Sequence, residues 1–347
     1  MDYFLQEILS QPGVLRATVD RYLEDESLLQ SVNSVRNRAG YDLVLLTGMG
    51  SSYFALYPAC IYLSEHGLPS YMVEASELLH YYRNLVSDRV LVVIASQSGE
   101  TVEVKKLLSE VGGRTLVVSV TNDAENYLAR NSDMPLFLYA GNERAPASKT
   151  HTATVGVVLL LAMYLTATMR KERVQALYDA VDAMEAFLEQ WRERIDGLTG
   201  FLGEVDCLSL LGRGPSLASA MAGALILKEA TKIRAEGMSS GQFRHGPLEV
   251  VTPEFAAIVF AMGGRTRDIS LRLAGDIADF GGKAVVIGSN KELSGERIFN
   301  LTLAPLDEFC SPLVEILPVQ LLSWKVASEK GLQPGKFDKA KKVTLHE

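Results

Sequence analysis

Ser96-Gln97-Ser98-Gly99-Glu100-Thr101 places three hydroxyl side chains, a carboxamide and a glycine in one short loop. The loop follows the apolar run Val90-Leu91-Val92-Val93-Ile94 and precedes TVEVKKLLSEV, where apolar residues recur at helical spacing. A buried strand is therefore predicted to end where Ser96 begins, with the loop at a helix N-terminus. Free backbone N–H groups and the positive end of the helix dipole favour an anion there. No Lys or Arg lies inside the loop, so hydroxyls and amides would supply the hydrogen bonds. That chemistry suits a phosphate monoester on a sugar better than a nucleoside triphosphate, and the P-loop pattern with its lysine is absent. The competing reading is an ordinary Ser-rich turn between strand and helix.

A loop of this kind needs a scaffold, and the chain writes the same one twice. At an offset of about 165 residues three matches occur in the same order. Leu45-Leu46-Thr47-Gly48-Met49-Gly50-Ser51-Ser52 pairs with Leu210-Leu211-Gly212-Arg213-Gly214-Pro215-Ser216. Val92–Ser96 pairs with Ile258–Met262, and Leu116–Asn122 with Ala284–Asn290. Strands rich in Val, Ile and Leu, separated by helical segments, indicate parallel sheets covered on both faces. The expected fold is α/β, with two doubly wound, flavodoxin-like parallel-sheet domains related by an internal repeat. Ligands of such sheets sit outside the carboxyl ends of the strands, where Ser51, Ser52, Ser96, Ser98 and the polar stretch after Thr121 converge. The second-half counterpart of the hydroxyl loop, MGGRTRD at 262–268, has no serine pair, so one phosphate site is expected. The charged amphipathic segment 171–195 reads as a helical connector. The expected organisation is a helical segment over 1–35, domains over 36–180 and 181–330, and a tail over 331–347 that reaches the site.

Composition excludes several classes. With 347 residues the chain can bury two cores, and its formal charge of −8 argues against a nucleic-acid surface. Cys60, Cys207 and Cys310 are scattered and form no CxxC pair; they are expected to be buried and reduced. The N-terminus lacks the basic region of a signal peptide. The apolar run 155–165 is too short to span a bilayer and reads as a core helix. A cytoplasmic protein without nucleic-acid or membrane partners is expected.

The segments FLQEILSQPGVL, GSSYF, EASE (74–77), SQSGET, the E-x-x-x-A-S stretch from Glu143 to Ser148, LGRG (211–214), KEATKIRAEGMSSGQFRHGPLEV and DKAKKVTLHE together resemble the SIS (sugar isomerase) family. Within it they are most similar to the isomerase part of glutamine-fructose-6-phosphate aminotransferase, over essentially the whole chain. The resemblance implies a phosphosugar held by Ser96, Gln97, Ser98 and Thr101, with Gly50, Ser51, Ser52, Ala147 and Ser148 at the sugar. It places Glu229 where the family has the carboxylate that moves a proton between C1 and C2, and His245 where the family opens the sugar ring. It implies that His245 comes from the neighbouring subunit of a homodimer, and it aligns Lys341 with a lysine of the C-terminal loop. No cofactor and no metal are implied. The chemistry is sound on its own terms, since one positioned Glu can take a proton alpha to a carbonyl and return it to the next carbon. Near-neutral His suits proton transfer at a ring oxygen. Read without the resemblance, Glu229 is a solvated helix residue, His245 a loop cap and Lys341 a charge in a basic tail.

Two departures bear on the reaction. The chain starts at Met1-Asp2, directly at the isomerase part, and has no cysteine before Cys60, so it is expected not to draw ammonia from glutamine. The family lysine three residues before the catalytic Glu is here Ile226, and a glutamate four residues earlier is Ala222. Loss of an ammonium removes a donor to an enolate oxygen or a Schiff-base former. The leading expectation is an enzyme acting on a hexose 6-phosphate or amino sugar 6-phosphate, by aldose–ketose isomerisation or deamination (deglycation) through an enediol or enolamine. The alternative is a non-catalytic phosphosugar-binding regulatory module. A dinucleotide enzyme ranks third: Gly48-Met49-Gly50 opens like a Rossmann fingerprint, but Tyr53 stands where the third glycine belongs.

Overall fold

Among the described residues ten strands pair in parallel in two five-stranded sheets, the central ones where the Val/Ile/Leu runs fall. A computed structural model describes residues 2–25, 35, 40–144, 146–290, 293–336, 339 and 344. The strands are β1 Leu43–Gly48, β2 Ser70–Met72, β3 Val90–Ala95, β4 Leu116–Thr121, β5 Met134–Phe137, β6 Cys207–Gly212, β7 Arg234–Ser239, β8 Ala256–Ala261, β9 Lys283–Gly288 and β10 Ile298–Thr302. The sheet orders are β2-β1-β3-β4-β5 and β10-β9-β8-β6-β7, so each repeat has the same order read from its own first strand. This is the doubly wound arrangement, with topological switch points between β1 and β3 and between β6 and β8. The central strands β3 and β8 are buried along their whole length, as strands covered by helices on both faces must be.

The chain divides into two compact units that interleave along the sequence. The first-repeat unit comprises Gly13–Glu143, Lys149–Leu177 and Phe337–Glu347; the second-repeat unit comprises Met1–Pro12, Arg144–Ser148 and Tyr178–Lys336. The division falls inside the helix Lys171–Glu189, within the segment read as a connector. In the first-repeat unit the helix Lys149–Leu165 is buried from Thr150 through Met163, which suits a segment apolar on every face. Among the described residues no helix is long and apolar enough to cross a membrane.

In the second-repeat unit the helix Leu217–Thr231 lies directly on β7. A Cβ at Gly237 would stand 2.5 Å from the Ala220 carbonyl oxygen and 2.7 Å from the Met221 Cα, so only glycine permits that approach. The same helix packs against the helix Ser311–Glu329. Between them Glu315 is fully buried and Ser216 Oγ donates to its Oε1 at 2.9 Å, while its Oε2 has no partner among the described residues. The cysteine expectation holds for Cys310, which is buried, but Cys60 is half-buried and Cys207 exposed. Cys207 opens β6 at the amino-terminal edge of the sheet, where the first residue of the strand faces outward. None of the three forms a disulfide among the described residues.

Burial pushes the Glu315 carboxyl up to about 8, against the opposing hydrogen bond from Ser216. The folded state therefore holds this proton more tightly than the unfolded chain. The stabilisation is complete below the ordinary carboxylate range and is lost as pH rises toward about 8. His151 acts in the other direction: burial pushes its ring from 6.5 down to about 4, so stability is lost as pH falls through that range. The interval from about pH 6.5 to 8 thus isolates Glu315. Thermal melts should show the unfolding temperature of the wild type falling across this interval and the fall flattened in Glu315→Gln. An unchanged slope would mean the carboxyl titrates as if solvated.

Candidate functional site

The hydroxyl-rich loop leaves β3 after Ala95 and enters the helix Val102–Val111, with Thr101 at the N-cap. Its carbonyl groups are drawn toward the β4 side. The Gln97 carbonyl accepts from Asn122 N at 3.2 Å and Thr121 Oγ1 at 3.3 Å, and the Gly99 carbonyl accepts from Leu128 N at 3.2 Å. A trans peptide points its N–H opposite its C=O, so the Ser98 N–H faces away from β4. Ser96 is buried, and its Oγ accepts from Gly99 N at 3.1 Å; Ser98 Oγ accepts from Glu100 N at 3.2 Å. These contacts use the serine oxygens as acceptors and leave each hydroxyl proton for another group. Glu100 fastens the far side of the loop: its Oε1 accepts from Tyr127 N at 2.7 Å, and Lys105 lies 2.5 Å from its Oε2. The Lys105 hydrogen bond, reinforced by that from Tyr127, holds the Glu100 carboxyl below its ordinary value. Thr101 makes no capping bond, and its buried Oγ1 has no partner among the described residues. A buried hydroxyl without a partner is costly unless a ligand or water meets it.

The second loop of this unit stands beside the first, because Gly48 at the end of β1 pairs with Ala95 at the end of β3. A Cβ at Gly48 would lie 2.6 Å from the Ala95 carbonyl oxygen, so glycine is needed where the two loops part. Gly50, Ser51 and Ser52 form the first turn of the short helix Gly50–Phe54, with Gly50 exposed and both serines half-buried. Ser51 Oγ lies 3.0 Å from His151 Nδ1, which also lies 3.3 Å from the Ser51 carbonyl oxygen. His151 was not singled out by sequence reasoning. It belongs to a polar T-H-T-A-T run opening an apolar helix, which reads as an exposed first turn yet is buried. Glu143 caps that helix, accepting from Thr150 N at 3.1 Å and Thr150 Oγ1 at 2.7 Å.

The second-repeat unit carries the other candidates. Glu229 is half-buried near the end of the helix Leu217–Thr231, which stops at Lys232 in the left-handed conformation with φ 62°. β7 starts two residues later, so Glu229 sits at the amino-terminal edge of the sheet. His245 lies beyond the other edge, after β7 and the short helix Ser240–Phe243, exposed, with its backbone N–H donating to the Gln242 carbonyl at 2.9 Å. The six residues of β7 hold the two levels apart, by roughly 20 Å at the usual strand rise. Ile226 and Ala222 are fully buried on the same helix. Ser148 is buried and Ala147 half-buried. A cleft of about 650 Å³ at the amino-terminal edge is lined by Asp206, Leu227, Ile233 and Lys325 among others, and includes neither Glu229 nor His245. Lys341 lies outside the described residues; of the tail, Thr344 accepts from Val102 N at 3.2 Å through its carbonyl.

Two parallel sheets in the flavodoxin-like order, one with a hydroxyl-rich loop at a helix N-terminus beside its switch point, define a tandem doubly wound α/β protein. The SIS domain signature matches twice, over residues 42–167 and 204–328, and the chain belongs to the SIS family. It is homologous to the isomerase part of glutamine–fructose-6-phosphate aminotransferase [isomerizing]. The protein of that name from Methanothermobacter thermautotrophicus is 29% identical over 342 residues, covering 96% of this chain and 56% of the relative. The chain thus spans little more than half the length of that relative. Among solved structures, the C-terminal domain of glucosamine-fructose-6-phosphate aminotransferase from Francisella tularensis superposes with a TM-score of 0.86 at 25% identity, covering 95% of this chain and 96% of that one. Glucosamine-6-phosphate deaminase from Thermotoga maritima shares the fold with a TM-score of 0.77 at 20% identity, covering 99% of this chain and all of that one.

The loop's weakest tolerance is at Gly99. Its φ is 63°, and an added Cβ would stand 2.2 Å from Asn126 Oδ1. Gly99→Ala should destabilise the first-repeat unit by roughly 1–3 kcal/mol through backbone strain and displacement of Asn126. Urea unfolding checks this, and a loss below a few tenths of a kcal/mol would mean the loop adopts another conformation at little cost.

Proposed function

We propose that the chain is a phosphosugar-processing enzyme acting on a hexose 6-phosphate or an amino sugar 6-phosphate. The observation that carries the reading is the loop of the first-repeat unit, whose Ser98 N–H faces away from β4 and whose Thr101 Oγ1 is buried without a partner among the described residues. A phosphate group supplies the acceptors this arrangement lacks. In this reading Ser96, Gln97, Ser98 and Thr101 hold the phosphosugar, Ser96 also bracing the loop from inside. Gly50, Ser51, Ser52, Ala147 and Ser148 face the sugar.

Glu229 is the base. It removes the proton alpha to the carbonyl of the open-chain sugar, giving an enediol, or an enolamine when nitrogen is attached at C2. Return of the proton to the neighbouring carbon completes an aldose–ketose isomerisation. When C2 carries the amine, protonation at C1 leaves an imine at C2, which water hydrolyses to a ketose and ammonia. Ile226 offers no ammonium, so hydroxyl and amide donors carry the developing enolate charge and Glu229 alone handles the carbon-bound proton. Lys341 is kept as a candidate of the C-terminal segment. The known relatives support both branches, since one is named as an isomerising aminotransferase and another with the same fold as a deaminase.

His245 opens the ring, and the working unit is a homodimer. The separation of His245 from Glu229 across the length of β7 supports this, because one protomer's pair sits at opposite edges of the same sheet. Mixing Glu229→Gln subunits with His245→Ala subunits should recover part of the activity by assembling one intact site per heterodimer. No recovery despite proven subunit exchange would remove the shared site.

The reaction itself is tested with glucose, fructose, glucosamine and fructosamine 6-phosphates, assayed for ketose and for free amine. Turnover of at least one is expected, with Glu229→Gln lowering kcat by a factor of order 10² to 10⁴ while binding is kept. A wild type that binds these sugars and turns over none would instead be a regulatory module.

A further inference from the structure

His151 is 2% exposed and lies in the first turn of the helix Lys149–Leu165, yet its imidazole is not idle. Its Nδ1 meets two oxygens of one residue, Ser51 Oγ at 3.0 Å and the Ser51 carbonyl at 3.3 Å, and its Nε2 is buried with no partner among the described residues. Burial pushes the ring down to about 4, so it is neutral near pH 7 and carries a single N–H.

The two neutral tautomers are not equivalent here. With the proton on Nε2, a buried N–H would lack an acceptor, and the Nδ1 lone pair would face the lone pairs of the Ser51 carbonyl. With the proton on Nδ1, the N–H is shared by the Ser51 oxygens, and the unmet group is an acceptor lone pair, the less costly of the two to bury. The choice fixes the neighbour. If Nδ1 donates, Ser51 Oγ accepts, and its own proton turns elsewhere; if Nδ1 accepts, that proton is consumed. A nucleophilic Ser–His pair requires the second arrangement and a further group orienting the other ring nitrogen, which Nε2 lacks.

We propose that His151 is a positioning residue that sets the polarity of the Ser51 hydroxyl: its Nδ1–H donates to Ser51, and the Ser51 proton is thereby presented to an oxygen of the bound ligand. The ligand class is one rich in acceptor oxygens, the phosphosugar of the preceding reading, on which this part rests. The tautomer itself does not depend on it.

Two measurements test the proposal. Histidine labelled with nitrogen-15 reports the tautomer through two-bond proton–nitrogen correlations, and the five histidines of the chain allow assignment by loss of one pattern in His151→Phe. The neutral Nδ1–H pattern is expected at pH 7; an Nε2–H pattern or a charged ring overturns the proposal. Calorimetry with fructose 6-phosphate then compares the wild type, Ser51→Ala, His151→Phe and the double variant. Each single change should weaken binding about five- to tenfold, and the double variant should be no weaker than Ser51→Ala, because both act through one hydroxyl. Additive losses, or unaltered binding in His151→Phe, overturn it. A wild type that binds no fructose 6-phosphate removes the ligand reading, while the tautomer still decides the role of His151. If the Phe variant does not fold, His151→Gln serves both measurements.

Discussion

Asn126 occupies the space into which a side chain at Gly99 would project, and from there it governs the whole loop. Its Oδ1 accepts from Ala129 N at 2.8 Å and caps the helix Tyr127–Asn131, while its Nδ2 donates to Thr121 Oγ1 at 2.6 Å. Thr121 in turn reaches the Gln97 carbonyl. One carboxamide thus ties a helix start, the end of β4 and the turn of residues 96–101 into one network. A network of this kind is stiff because every member is satisfied within it, and losing one leaves buried polar groups unmet. The outward-facing amide and hydroxyl donors of the loop follow from that inward tethering of its carbonyls.

The two repeats use one architecture with different chemistry at the corresponding place. In each unit a serine in the loop after the first strand meets an ionisable side chain on the last long helix: Ser51 with His151, Ser216 with Glu315. Both partners are buried, and both keep one polar atom without a partner among the described residues. The first-repeat loop after the third strand adds hydroxyls and a helix N-terminus, whereas its counterpart at 262–268 offers glycines and arginines. Both copies brace the loop after the first strand through a serine and a buried ionisable group, whereas the serine pair of residues 96–98 has no counterpart at 262–268.

The helix Leu217–Thr231 buries small and apolar residues in the turns that precede Glu229. Ile226 lies one turn before Glu229 and is fully buried, so this position adds apolar packing where the aminotransferases are expected to have a cation. Burying an isoleucine is worth about 1.5–3 kcal/mol, whereas an unpaired ammonium there would cost far more. Glu229 is left half-buried, without that ammonium beside it on the helix.

The repeat, the parallel sheets and the strand-to-helix placement of residues 96–101 were legible in the sequence, because β-branched runs, helical periodicity and glycine positions are local properties of a chain. Membership of the SIS family was legible for the same reason, since its motifs are contiguous. His151, Asn126 and Glu315 were not. Each acts on a residue distant in sequence, Glu315 on Ser216 and His151 on Ser51, or, for Asn126, on a turn whose tightness shows only when the Gly99 Cα is placed beside it. Likewise the sequence marked Ser96 as a ligand hydroxyl but could not show that it is buried with its Oγ accepting from Gly99 N. The exposure of Cys207 depends on its being the first residue of an edge-facing strand end. Which polar group is buried, which of its atoms is left unmet and which neighbour it steers depend on distances of about 3 Å between separate elements, and only the tertiary structure sets these.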